Sequence, residues 1–351
     1  MCSFALCGLR HAGRFRLVLR SAERISDTCQ ANSLQPAVMR STHPNKHNGD
    51  GVQIDLQSLI ALRQEAARLD IAPRGKILAT RSGGHLSRFR GRGVEFDESR
   101  VYQPGDDPRN MDWRVTARTG QPHVKLFREE RERPVWLLVD IGASMRFGTR
   151  VAFKSVIAAQ AAALLAWAAA DKGDRIGGLV FDETRHFERR PAARTRGLLP
   201  LLKALSEAPI PGEEGGYASL GAAAQHLVHL VRPGSLVFLL SDFAGLQRDD
   251  GAWLARLTGG NEVVLVHVSD PLEAAAPPGG LYPVTDGVRH GMLDTYNRAL
   301  RDGWQRRFAE HGALLHDLAQ RYQAHLVELQ TDRPVGESLS RGLQPRRRRG
   351  R

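Results

Sequence analysis

The sequence predicts an α/β protein: a doubly wound, mostly parallel sheet with helices on both faces, joined to a smaller N-terminal accessory segment. Three observations carry this reading. Five apolar runs, near 135–140, 175–182, 235–241, 262–268 and 324–330, have the length of strands and little polar alternation. Stretches with helical spacing separate them, near 151–171, 194–207, 219–231, 247–258 and 294–322. Two of the runs end in an aspartate, Asp140 and Asp242. Both would then stand at the carboxyl edge of the sheet, where open α/β folds bind ligands.

Composition is that of an ordinary globular chain, 42% hydrophobic and 25% charged over 351 residues. The longest apolar helix candidate, 158–170, is Ala-rich and too short to span a bilayer, so it reads as a core helix and no membrane span is expected. The net charge of +12 is terminal. Residues 341–351 carry six Arg and no acid, and residues 1–40 carry six Arg against Glu23 and Asp27, which leaves about +2 for residues 41–340. A balanced body with basic ends argues against specific nucleic-acid binding and for solvated tails. Cys2, Cys7 and Cys29 all lie near the start, with neither a disulfide framework nor zinc spacing, which points to a reducing compartment.

In chain order, residues 1–53 read as a disordered extension and polar linker, with Met39 an alternative start to Met1. An accessory segment follows over 54–133. It opens with helical spacing at Leu56, Leu59, Ile60, Leu62, Ala66 and Leu69, with Asp55 as N-cap and Pro73 as terminator. Residues 76–93 are rich in Gly, Arg and Ser, and residues 115–127 read as strand-rich. The α/β domain is expected over 134–332, with residues 185–190 adding a hairpin strand and 271–285 forming a long loop or irregular hairpin. An Arg-rich tail closes the chain over 333–351.

Two groups of residues could carry chemistry. Asp140, Ser144 and Asp242 form the first. Two carboxylates and a hydroxyl suit a hard cation, Mg2+ or Mn2+. The same aspartates could instead cap the backbone N–H groups that follow them. The second group is the densely charged stretch holding Glu95, Asp97, Arg100, Tyr102, Pro104, Gly105, Asp106, Asp107, Arg109, Asp112, Trp113, Arg114 and Arg118. Its carboxylates could act as acid and base. Its matched charges favour an internal ion-pair scaffold, with bidentate pairs open to Arg100 and Arg109. Pro104-Gly105 marks a tight turn. His226 and His229, three apart on a helix, read as surface residues. The scattered tryptophans offer no platform for single-stranded nucleic acid.

The stretch from Gly91 to Arg118, Gly-Arg-Gly-Val-Glu-Phe-Asp-Glu-Ser-Arg-Val-Tyr-Gln-Pro-Gly-Asp-Asp-Pro-Arg-Asn-Met-Asp-Trp-Arg-Val-Thr-Ala-Arg, resembles the signature of the bacterial domain of unknown function 58 family. Asp140-Ile-Gly-Ala-Ser144 resembles the Asp-x-Ser-x-Ser metal-ion-dependent adhesion site of von Willebrand factor A domains. The resemblance covers about residues 54–331. It implies a von Willebrand factor A-like domain in which Asp140, Ser144 and Asp242 match metal-site positions. The site is degenerate. Gly142 stands at the first serine, and the threonine position falls on Ala218 unless Ser219 substitutes. The resemblance further implies a non-enzymatic protein-interaction adaptor; many members of the family have membrane-spanning helices before the signature, and since none is expected here the protein is expected to be cytoplasmic. Its partners would be a MoxR-type AAA+ ATPase and a client protein. The rival readings are a metal-dependent hydrolase using Asp140 and Asp242, and nucleic-acid binding through the basic tails.

Overall fold

The computed structural model describes residues 51–71, 94–129, 132–207, 213–214, 216–217, 219–247, 251–285 and 290–344. The expectations for 1–50, 76–93 and 345–351 lie outside these. The chain divides into two compact units, residues 1–74 with 134–351, and residues 75–133.

The larger unit is the predicted doubly wound α/β domain, of von Willebrand factor A-like type. Its helices and strands, in order, are α1 (Leu56–Ala61), α2 (Arg63–Ala66), β3 (Pro134–Asp140), α4 (Lys154–Asp171), β4 (Arg175–Phe181), β5 (Arg185–Ala193), α5 (Thr195–Ser206), β6 (Glu213–Glu214), α6 (Leu220–Leu230), β7 (Leu236–Ser241), α7 (Gly251–Thr258), β8 (Glu262–Ser269), α8 (Pro271–Ala274), β9 (Leu281–Thr285), β10 (His290–Asp294), α9 (Arg298–Arg321), β11 (His325–Gln330) and α10 (Val335–Leu343). The numbers β1, β2 and α3 belong to the smaller unit. Seven strands form one sheet in the order β11-β8-β7-β3-β4-β5-β6. β3, β4, β7, β8 and β11 run parallel, and β5 and β6 complete one edge antiparallel.

The apolar runs are strands because both of their faces are buried. Val135, Leu137 and Val139 of β3 face one core, and Trp136 and Leu138 the other. α4 lies in the first core, where Ala158, Ala161, Ala162, Leu165 and Ala169 are fully buried. α1, α5 and α10 pack around it, so it is covered on every side, and small residues let its neighbours approach. Trp167 donates from its indole N–H to the Leu59 carbonyl at 3.1 Å, fixing α1 against α4. α6, α7 and the last turns of α9 cover the other face through Leu227, Trp253, Leu257, Leu315 and Leu318.

Four expectations change. α1 and α2 belong with the α/β core and not with the charged segment, since Leu59, Ala66, Leu69 and Ile71 are buried in it. The tail expected from 333 contains α10, whose Val335, Leu339 and Leu343 share one buried stripe. Residues 271–285, expected as a long loop or irregular hairpin, open with the short helix α8, and the hairpin that follows, β9 with β10, runs on to Asp294. In the smaller unit, β1 (Val94–Val101) pairs antiparallel with β2 (His123–Glu129), but α3 (Trp113–Thr119) lies between them where strand was expected. Asp112 caps α3 by accepting from the Val115 N–H, and Gly120 ends it at φ 71°. These two caps outweigh the weak alternation of 115–127.

Candidate functional site

The chain leaves β3 toward β4 on one side of the sheet and leaves β7 toward β8 on the other. β3 and β7 are hydrogen-bonded neighbours, so the crevice between their carboxyl ends is the topological switch point. Asp140 ends β3, and Ser241 and Asp242 end β7, as the apolar runs implied.

Asp140 is 8% exposed and both of its oxygens are engaged. Oδ1 accepts from the Gly142 N–H at 2.9 Å, and Oδ2 accepts from the Ser241 hydroxyl at 2.8 Å. Burial, and then the charge of Asp242, raise its pKa from 3.8 to about 6. Asp242 is 6% exposed. Its Oδ1 accepts from the Ala244 N–H at 3.0 Å, and its Oδ2 accepts from the Lys154 ammonium at 2.8 Å. Ser144 lies on the turn after β3, and its hydroxyl adds a small lowering influence on the Asp242 carboxyl. Burial opposes the charge of Asp242, but Lys154 outweighs it and holds the carboxyl below its ordinary pKa. Phe243 follows in the left-handed region at φ 54°, a conformation costing about 1 kcal/mol or more for a side-chain-bearing residue. Its N–H donates to the Ser241 Oγ, and with the Ala244 bond to Asp242 this holds the turn.

Lys154 opens α4 and is 2% exposed. Its ammonium donates to Asp242 and, at 2.6 Å, to the Glu273 Oε1. Burial opposes its charge, and the two carboxylates more than compensate, so its pKa lies above the ordinary lysine value. Glu273 is placed by two devices. Its Oε2 accepts from the Asp270 N–H at 2.8 Å in a reciprocal cap of α8, and the Trp304 indole N–H donates to the Leu272 and Glu273 carbonyls, each at 3.0 Å. Asp270 is fully buried and accepts from the Thr149 N–H and hydroxyl, the Leu272 N–H and the Thr331 hydroxyl. On the far side, His311 contacts the Asp242 carbonyl oxygen at 3.0 Å, and its ring lies 5.6 Å from the buried ring of His267.

Sequence reasoning found Asp140, Ser144 and Asp242 and missed Lys154, Glu273, His311 and His267. Two signals were available for the first pair: a lone lysine opening an Ala-rich helix, and the Asp-Pro-Leu-Glu spacing of 270–273, which is a capping box. Ser219, the alternative threonine substitute, is used otherwise, since its Oγ accepts from the Ala222 N–H as the cap of α6. Ala218 lies outside the described residues. Gly142 takes the first serine position, and a Cβ there would sit 3.1 Å from both Asp140 Oδ1 and Glu183 Oε1.

These donors do not fit a divalent cation. All four carboxylate oxygens of Asp140 and Asp242 already accept hydrogen bonds, and one takes them from an ammonium. Among the described residues, no group of three or more His, Cys, Asp or Glu is arranged to hold a metal.

The charged signature, described within its own unit, spends its acids on turns. Asp106 pairs with Arg100 at 2.7 Å and accepts from the Gln103 N–H. Asp107 accepts from the Arg109 N–H, and Asp112 from Ser99 and Val115. Arg100 therefore meets its acid through one nitrogen, not as a fork, and Arg109 meets Asp107 through its backbone. The Ser99 hydroxyl, first among its partners, lowers the Asp112 pKa. Gly105 takes φ 108° after Pro104, as the turn requires. Trp113 is 69% exposed, Arg114 and Arg118 are exposed, Tyr102 is half-buried, and Glu95 and Asp97 lie on β1. His226 is half-buried against Glu188 at 2.8 Å, whereas His229 is exposed as expected.

Fold and edge together define a doubly wound α/β protein of von Willebrand factor A-like type whose carboxyl edge carries two buried aspartates. Residues 98–314 match the family described as protein of unknown function DUF58, and the chain belongs to that family. The uncharacterized proteins Rv1480 of Mycobacterium tuberculosis and Mb1516 of Mycobacterium bovis are each 33% identical over 290 residues, covering 80% of this chain and 88% of the relative. Among solved structures, the conserved hypothetical protein BatB from Bacteroides thetaiotaomicron is similar at a TM-score of 0.38 and 17% identity, over 60% of this chain and 97% of that one. An aerotolerance-related membrane protein from Bacteroides fragilis gives 0.37 and 13%, over 60% and 98%. Among the described residues, no helix is long and apolar enough to cross a membrane.

Proposed function

We propose that the protein is a non-enzymatic interaction adaptor and that the carboxyl edge around Asp140, Ser144 and Asp242 is its docking surface. The observation that carries this is the mutual satisfaction of the edge. Its carboxylates, ammonium and hydroxyls hydrogen-bond one another or adjacent amides and are fixed in place. Such an arrangement favours a rigid recognition surface over a mobile acid–base pair. Residues at its mouth, half-buried Ser144 and exposed Glu183, are the ones a partner would meet. Family resemblance suggests the partner: a MoxR-type AAA+ ATPase, with which the adaptor would assemble or activate a client complex in the cytoplasm.

The test is a binding measurement between the full chain and the MoxR-type ATPase of the same genome. The reading expects saturable binding, weakened about tenfold or more by Ser144→Arg or Glu183→Arg, since a bulky cation at the centre of an interface removes packing and reverses charge. Binding unchanged by both substitutions contradicts the docking surface. Hydrolysis of phosphoester or peptide substrates that disappears in Asp140→Asn contradicts the non-enzymatic reading.

A further inference from the structure

We propose that Lys154 is the resident counter-cation of the carboxyl edge, its ammonium replacing the divalent ion that Asp140, Ser144 and Asp242 would otherwise take. The assignment concerns the edge itself and stands whether or not the edge docks a protein.

Position is the first argument. Lys154 is the first residue of α4, where the helix dipole disfavours a positive charge, and it is 2% exposed, where loss of water disfavours any charge. A lysine stays charged there only if carboxylates compensate. Asp242 and Glu273 do so at 2.8 and 2.6 Å, from segments 88 and 119 residues away. Glu273 is not a surface side chain that happens to reach the ammonium. The cap of α8 holds its other oxygen, and Trp304 holds its backbone.

Competition is the second argument. A divalent ion on Asp242 would need a carboxylate oxygen facing it. Oδ2 faces the ammonium and Oδ1 faces the Ala244 N–H. An incoming dication would meet the ammonium across that one group and be repelled.

The hydroxyl donors around the edge point the same way. The two hydroxyls that a metal would use are missing in a way that suits an internal cation. Gly142 offers none, and Ser219 is committed to capping α6. At this edge the cation facing Asp242 is therefore a covalently attached ammonium and not a bound ion. The attached cation cannot dissociate, so the edge keeps its charge at any metal concentration.

The experiment is calorimetric titration of Mg2+ and of Mn2+ into the full chain, with thermal unfolding measured with and without each ion. Wild type is expected to show no saturable heat at millimolar ion and no shift of the unfolding midpoint. Lys154→Met, close in length and uncharged, is expected to unfold at lower temperature and to regain part of that loss when Mn2+ or Mg2+ is added. Asp242→Asn in the same background is expected to remove the regain. Saturable binding to wild type, lost in Asp140→Ala, overturns the proposal. So does a Lys154→Met chain as stable as wild type. If Lys154→Met does not fold, the wild-type titration decides alone.

Discussion

The Lys154 ammonium lies 2.8 Å from Asp242 Oδ2, joining the first residue of α4 to the residue after β7. Both side chains are buried, so the pair links the sheet edge to the helix behind it with little screening from water. Removing one partner of such a pair leaves an uncompensated buried charge, which is the costly event. The pair itself adds little net stability.

The edge should titrate in two opposed ways. Asp140 has its pKa raised to about 6, by burial and then by Asp242, so between 3.8 and 6 the folded state binds more protons and stability falls as pH rises. His267 has its pKa lowered to about 4, by burial and then by His311, so between 4 and 6.5 the unfolded state binds more protons and stability rises with pH. Each contribution is about 3 kcal/mol in full. Wild type should therefore show a shallow profile over this interval in urea unfolding. Asp140→Asn should expose the rising slope and His267→Gln the falling one. Two variants with the wild-type profile would contradict the opposed titrations.

Asp270 should be among the least replaceable residues outside the apolar core. It is fully buried, and four donors from three segments converge on it. Asp270→Asn puts an amide where a donor must be accepted, and should cost about 3 kcal/mol, since hydrogen bonds to buried charges are the strong ones. Urea unfolding at neutral pH measures this. A loss under about 1 kcal/mol would mean the network relaxes around the change.

The C-terminal helix should behave as core. Leu339 is fully buried on α10, and Leu339→Ala should cost about 3 kcal/mol, in the range of buried leucine truncations. An unchanged unfolding midpoint would return residues 335–343 to the status of a solvated tail.

That helix also shows what the sequence concealed. The stripe Val335, Leu339, Leu343 is legible by spacing, but the arginines of 341–351 dominate the composition around it. The sheet was legible because parallel strands buried on both faces must be apolar throughout. For the same reason Asp140 and Asp242 stood out as polar ends of apolar runs, and their adjacency followed from the strand order. Lys154 did not stand out. A lone lysine opening an Ala-rich helix and the capping box at 270–273 mark Lys154 and Glu273 singly, but only the fold brings them together with Asp242 across separations of 88 and 119 residues. The helix at 113–119 is a different case: its caps, Asp112 and Gly120, are legible in the sequence and outweigh the weak alternation of 115–127.

The central claim is that the ammonium of Lys154 balances Asp242, and a double-mutant cycle on this pair tests it most directly. Unfolding free energies would be measured for wild type, Lys154→Met, Asp242→Asn and the double variant. The account predicts that each single change costs about 3 kcal/mol or more and that the double variant costs less than their sum by about 2 kcal/mol or more. Strict additivity of the two losses would contradict it.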